Sequence, residues 1–210
     1  MIAVVAKLQY AEESVTMVNN AYKYINQSFQ NEYKERSDSL RQRVSAWRDG
    51  PAVGRVERPT NVARARELGY KAKQGIIVVR VKVEKGLRKR IKASGGRKPS
   101  KSGRFFALRK SLQSMAEERA ARKYSNCEVL NSYYIGEDGK YKFFEAILLD
   151  RDHPALLGDP FYSRIISQKG RAFRGLTSSG RKHRGIMDRG FGTSRNRPSV
   201  RAGQRNITRV

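Results

Sequence analysis

Two histidines, one cysteine and a few carboxylates are the residues of this chain that could carry nucleophilic, metal or acid–base chemistry, and their spacing supports none of it. His153, His183 and Cys127 share no metal-ligand spacing. Glu117 and Glu118 are adjacent, so on a helix they point about 100° apart, which is wrong for a working carboxylate pair. With Arg119 and Arg122 close by they read as solvated helix charges. Glu145 sits inside an apolar strand pattern and is expected to pair with an arginine rather than to act as a general acid. No GxxxxGK[ST] phosphate loop occurs, and "GFGTSR" at 190–195 ends in Arg195 where a dinucleotide fingerprint requires glycine. An RNA-modifying enzyme would need a pocket built around Glu145 or His153.

The residues suited to binding a polyanion are far more numerous. In "GYKAKQG", Lys71, Lys73 and Gln74 can reach phosphates and Tyr70 can stack, while Gly69 and Gly75 allow close backbone approach. "GLRKRIKASGGRKPSKSGR" supplies Arg88, Lys89, Arg90, Lys92, Arg97, Lys98, Lys101 and Arg104. "RAFRGLTSSGRKHRG" adds Arg171, Arg174, Arg181, Lys182, His183 and Arg184, with Phe173 as a further stacking candidate. If only ten of these side chains each neutralise a phosphate, affinity falls roughly 10³–10⁵-fold between 50 and 200 mM salt.

Composition agrees. The 210 residues carry 45 Lys+Arg against 19 Asp+Glu, net +26, and such self-repulsion calls for a negative partner. The charge is blocked: residues 1–36 are neutral, 84–110 carry +10 with Glu84 as their one acid, 111–150 carry −2, and 151–210 carry +11. A nearly neutral module therefore lies between two cationic segments. No run of 18 apolar residues predicts a spanning helix. The basic segments are interrupted by glycine, unlike an amphipathic membrane helix. "MIAVVAKLQY" is too short in apolar content for a secretory leader, and one cysteine fits a reducing compartment, so a cytoplasmic location is expected.

Helical spacing of Val18, Tyr22, Ile25, Phe29 and Tyr33 predicts a helix over about 15–35. Ser37 is the expected N-cap of a second, with Leu40, Val44 and Trp47 on one face. "DGPAVG" at 49–54 reads as a turn, and a short helix over 60–68 is stopped by Gly69. Ile76–Val83 alternates as a strand, with Ile77, Val79, Val81 and Val83 inward and Arg80 and Lys82 on a wet or RNA-facing side. Residues 86–103 are too polar to order themselves. A helix is expected from Arg104 to Tyr124, with Phe105, Leu108, Leu112 and Met115 as its stripe and a Glu118–Arg122 pair. "CEVLNSYYI" and "YKFFEAILL" form a hairpin about "GEDGK", the second strand covered on both faces. From Gln168 the chain reads as an extended tail. The fold class is α+β, a small mixed or antiparallel sheet with helices packed on it plus long basic extended arms. The expected divisions are an extension at 1–16, a helical part at 17–74, an α/β module at 75–165 holding the insertion 86–103, and an arm at 166–210.

Four segments, "ERPTNVARARELGYKAKQG", "MAEERAARKYSN", "VLNSYYIGEDGKYKFFEAILLD" and "RGLTSSGRKHRG", resemble the large-subunit ribosomal protein family fifteen-e of archaea and eukaryotes. The likeness runs from about Ala21 to Gly185. It implies a structural protein among rRNA helices, with neighbouring large-subunit proteins as further partners. No cofactor, reaction, small-molecule substrate or membrane is implied. On matching positions it points to Arg58, Lys71, Lys73, Arg119, Arg174, Arg181 and Arg184 as RNA-facing. Three departures stand out: residues before Ala21 exceed the usual length, Arg151 replaces a proline in "LLDRDHPAL", and the tail after Gly190 matches only in composition. The alternative from another class is a chromatin-type protein binding DNA without sequence preference. RNA is favoured because no helix-turn-helix or zinc finger is visible.

Overall fold

A computed structural model describes residues 21–86, 88–106 and 110–186. Its centre is a four-stranded antiparallel sheet in the order β1-β2-β6-β5, made of β1 (Val53–Val56), β2 (Ile76–Glu84), β5 (Cys127–Glu137) and β6 (Tyr141–Asp150). β6 lies between β2 and β5 and is buried without a break from Phe143 to Leu149. Its alternation sends Phe143, Ile147 and Leu149 to one face and Phe144, Ala146 and Leu148 to the other. The sequence expectation that helices cover both faces therefore holds.

On the first face lie α1 (Ala21–Glu35), α2 (Asp38–Asp49), α3 (Val62–Glu67), α5 (Pro154–Leu157) and α6 (Pro160–Ile166). The Ser37 hydroxyl accepts from the Leu40 amide at 3.3 Å, capping α2 as expected, and Leu40, Val44 and Trp47 are buried. α3 begins at Val62, two residues later than expected, where the Asn61 side chain caps it by accepting from the Arg64 amide at 2.9 Å. α1 buries no residue: Phe29 and Tyr33 rest on the core while Tyr24 and Ile25 stay exposed, and its expected first turn lies outside the described residues. The second face is covered by α4 (Leu112–Lys123), through Ala116 and Ala120, and by the segment that follows α6.

Four expectations are corrected. The turn expected at 49–54 runs into a strand: Val53 pairs with Val81 and Val56 with Val78, a partner 22 or more residues away that local turn chemistry cannot show. The helix expected from Arg104 begins at Leu112, because Ser111 caps it and Phe105–Phe106 pair instead with Arg88–Lys89 as β4 and β3. Among the described ion pairs Glu118 binds Lys110 at 2.6 Å, not Arg122. The segment from Gln168, expected to be extended, turns back and forms α7 (Ser178–His183), burying Ala172, Gly175, Thr177, Ser179 and Gly180. Residues 1–20 and 187–210, with "GFGTSR", lie outside the described residues.

Candidate nucleic-acid interface

The polar side of β2 is not wet. Arg80 stands opposite Glu145 in the β2–β6 register, its guanidinium 3.5 Å from the carboxylate and stacked 4.5 Å from the Trp47 ring centre. Lys82 donates to the carbonyls of Arg48 and Gly50 at 2.7 and 2.6 Å. Both cations are spent inside the fold because α2 lies over this face. Glu145, fully buried, accepts from the Thr60 amide (3.0 Å), the Thr60 hydroxyl (2.5 Å) and the Tyr133 hydroxyl (2.5 Å). The expected Glu145–Arg partnership is present, as part of a network that fixes the loop before α3.

Glu117 overturns a second expectation. It is buried rather than a helix-surface charge, and accepts from the hydroxyls of Ser132 on β5 and Thr177 ahead of α7, each at 2.5 Å. Burial raises its carboxyl above the ordinary range, and these two hydrogen bonds work against that rise. Glu128, also buried, accepts from the amides of Gly170 and Arg171 at 2.8 and 3.3 Å. The two carboxylates thus tie the 168–186 segment to α4 and β5. Sequence reading missed both roles; the available signal was acidic residues facing a Gly/Ser/Thr-rich stretch that lacks acids of its own.

The "GYKAKQG" loop is held just as firmly. The Tyr162 hydroxyl donates to the Gly69 carbonyl at 2.7 Å, and Lys73 and Lys71 reach the Asp159 carboxylate at 3.0 and 3.7 Å. The Lys73 hydrogen bond holds the Asp159 carboxyl below its ordinary value. Lys71 also lies 5.5 Å from the centre of the Tyr162 ring. Gly75 is required for a different reason from the expected RNA approach: at φ 85° a Cβ there would come within 2.9 Å of His153 and Leu156 side-chain atoms. Tyr70 is half-buried against the core, whereas Lys71, Lys73 and Gln74 present exposed side chains, and Arg58 is exposed on the loop after β1.

The 86–106 segment leaves the sheet at Glu84 and is clamped at its base by the β3–β4 pair. Arg90, Lys92, Arg97, Lys98, Lys101 and Arg104 are exposed there, around a 3-10 turn at Pro99–Lys101. Arg88 and Lys89 supply the backbone of β3. Near α7, Arg174, Arg181 and Lys182 are exposed, and so is the Phe173 ring. Three other candidates serve the fold. Arg119 donates to the Lys82 carbonyl at 3.0 Å, and Arg184 donates to the Arg174 and Gly175 carbonyls at 3.2 Å. Arg171 is half-buried, donates to the Gln168 side chain at 3.2 Å, and has its guanidinium pulled below its ordinary value by burial. His183 is half-buried with its Nδ1 enclosed.

Apart from Arg58, the exposed candidate cations therefore fall on three surfaces: the 71–74 loop, the 90–104 loop, and α7 with the turn before it that carries Arg174. Among the described residues no helix is long and apolar enough to cross a membrane. The sequence profile of a family described as Ribosomal L15 matches residues 20–203. The large ribosomal subunit protein eL15 of Methanocella arvoryzae is 48% identical over 193 residues, covering 90% of this chain and 98% of that relative. A match of that extent, over the sheet, its helices and the cationic loops alike, makes the chain a member of the L15e family of ribosomal proteins.

Proposed function

We propose that this chain is a structural constituent of the large ribosomal subunit in the cytoplasm, binding folded rRNA beside neighbouring large-subunit proteins. One observation carries the reading: the 90–104 loop projects its cations into solvent from a stretch without a single acid between Glu84 and Glu117. Such a loop can follow an RNA groove and offset phosphate repulsion where RNA helices approach each other. Lys71, Lys73 and Gln74 form a second contact, pre-set by Asp159 and Tyr162. Arg174, Arg181 and Lys182 form a third. Arg119, Arg171 and Arg184 support these surfaces from within. The family and its relative lend no support to the DNA-binding alternative.

The test compares binding of large-subunit rRNA and matched duplex DNA by the full chain across a salt series. Replacing Lys92, Arg97, Lys98 and Lys101 together by Ala should lower the logarithmic salt slope by about 3 for rRNA, given roughly 0.7–0.9 per phosphate contact. An unchanged slope, or duplex DNA bound as tightly as rRNA, would remove the loop from the interface.

A further inference from the structure

The turn between α1 and α2 and the β5–β6 hairpin enclose a cleft of about 520 Å³, within the size range of small-ligand sites. Its floor is apolar, made of Leu40 and Val44 with the ring of Tyr33 beside them. Its rim carries Arg36, Arg41, Arg48 and Lys85 against the carboxylates of Glu137 and Asp138. Both carboxylates are already engaged. Lys85 and Lys142 hold Glu137 at 3.1 and 3.3 Å, and Arg48 holds Asp138 at 3.0 Å. The Arg41–Asp38 pair is solvent-exposed at 3.3 Å and so contributes little.

Arg36 is the second, independent observation. Among the described residues it is the one non-glycine with a left-handed backbone, φ 51°. It follows the last turn of α1, where the Ser37 amide donates back to the Glu32 carbonyl at 3.4 Å. Glycine is the usual residue at this position of a helix end, and a side chain there adds strain of about 1–2 kcal/mol. No ion pair holds its guanidinium among the described residues. A strained arginine, unpaired at the mouth of a basic cleft, marks a place where the side chain serves something other than the fold.

We propose that this cleft receives one unpaired RNA nucleotide, its base on the Tyr33, Leu40 and Val44 floor and its phosphate on Arg36 and Arg41. The proposal rests on the rRNA-binding reading above and names a contact within it. Charge complementarity selects the occupant. The four rim cations outnumber Glu137 and Asp138, whose oxygens are already held by Lys85, Lys142 and Arg48, so the cleft favours an anionic occupant such as a nucleotide's phosphate. The apolar floor with the Tyr33 ring beside it then suits a base better than the polar side chains of an acidic peptide, since every base offers a flat face.

The experiment photo-crosslinks the full chain to a 4-thiouridine hexanucleotide, with excess inorganic polyphosphate occupying sites that sense charge alone, and maps the joined peptides by mass spectrometry. Arg36→Gly removes the guanidinium and relieves the strain. Gly139→Phe places a ring at the cleft without altering charge, since a Cβ there meets nothing within 4 Å and the backbone is not left-handed. Crosslinks are expected at Tyr33 or in the hairpin at 137–141, weakened about tenfold in both variants, with the melting temperature of Arg36→Gly equal to or above that of the parent. Their absence in the parent, or their survival in both variants, would overturn the proposal. So would displacement of the hexanucleotide from the cleft by a glutamate-rich peptide better than by polyphosphate, which would make it a peptide groove. Parallel binding of large-subunit rRNA separates the two readings: intact rRNA affinity with no cleft crosslink removes the cleft alone, whereas lost rRNA affinity removes the reading beneath it.

Discussion

Glu117 shows how a single carboxylate can bind distant parts of this chain together and leave a trace in its pH behaviour. Its two hydroxyl partners come from β5 and from the segment before α7, so one side chain joins three elements. Burial holds its folded-state value above the ordinary 4.5. Below pH 4.5 the group is protonated in both states and its contribution to stability is complete. As pH rises past that point the unfolded chain releases the proton first, and the contribution is lost as pH passes through the folded-state value. Glu117→Gln cannot ionise, so the melting temperature of the variant should gain on the parent as pH rises above 4.5. A difference that stays constant with pH would show that Glu117 ionises as readily inside the fold as outside. Cys127 is affected in the same sense, its thiol pushed up to about 11 chiefly by burial, which leaves it a poor nucleophile near neutrality.

Among the elements, those with strong periodic apolar patterns were legible in the sequence. α2, β2 and the β5–β6 hairpin carry their Leu, Val, Ile and Phe at spacings that leave one arrangement. Phe105 reads as helical because it stands seven residues before Leu112, a helical interval, while its real partner, Lys89, is set by a pairing across a loop. The 168–186 segment was illegible for another reason: it is buried by smallness and polar bonding rather than by apolar bulk. At Gly180 a Cβ would come within 2.6 Å of the Gly175 backbone, so glycines that read as flexible are there for close contact. The candidate cations were legible as residues, but which of them the fold itself uses was not. Arg119 and Arg184 resemble Arg181 in sequence and differ only in the carbonyls they find. Gly180→Ala should therefore detach α7, at about 1–3 kcal/mol. Trypsin should then cut the free variant rapidly at Arg181 and Lys182, where the parent resists. Equal cutting of both would mean the contact with Gly175 relaxes without loss of docking.

At the scale of the whole molecule, a neutral two-faced core holds cationic surfaces of unequal stiffness. The 71–74 loop and α7 are braced by buried carboxylates and tyrosines, whereas the 90–104 loop rests on two residue pairs at its base. Free protein should therefore be cut by trypsin first within 88–104, and the same bonds should be protected in intact large subunits. Cleavage at the same rate in both would mean that the loop stays in solvent after assembly. The strand order β1-β2-β6-β5 also governs how the chain can be made. β2 ends at Glu84, but its central neighbour β6 begins only at Tyr141. At synthesis rates of about 5–20 residues per second, β2 waits several seconds for that partner. During this interval a Val-rich edge and a strongly cationic loop emerge from the ribosome together, with the sheet half closed. The nascent chain is thus most exposed to wrong contacts in the middle of its own translation, and becomes safe only when its second half arrives.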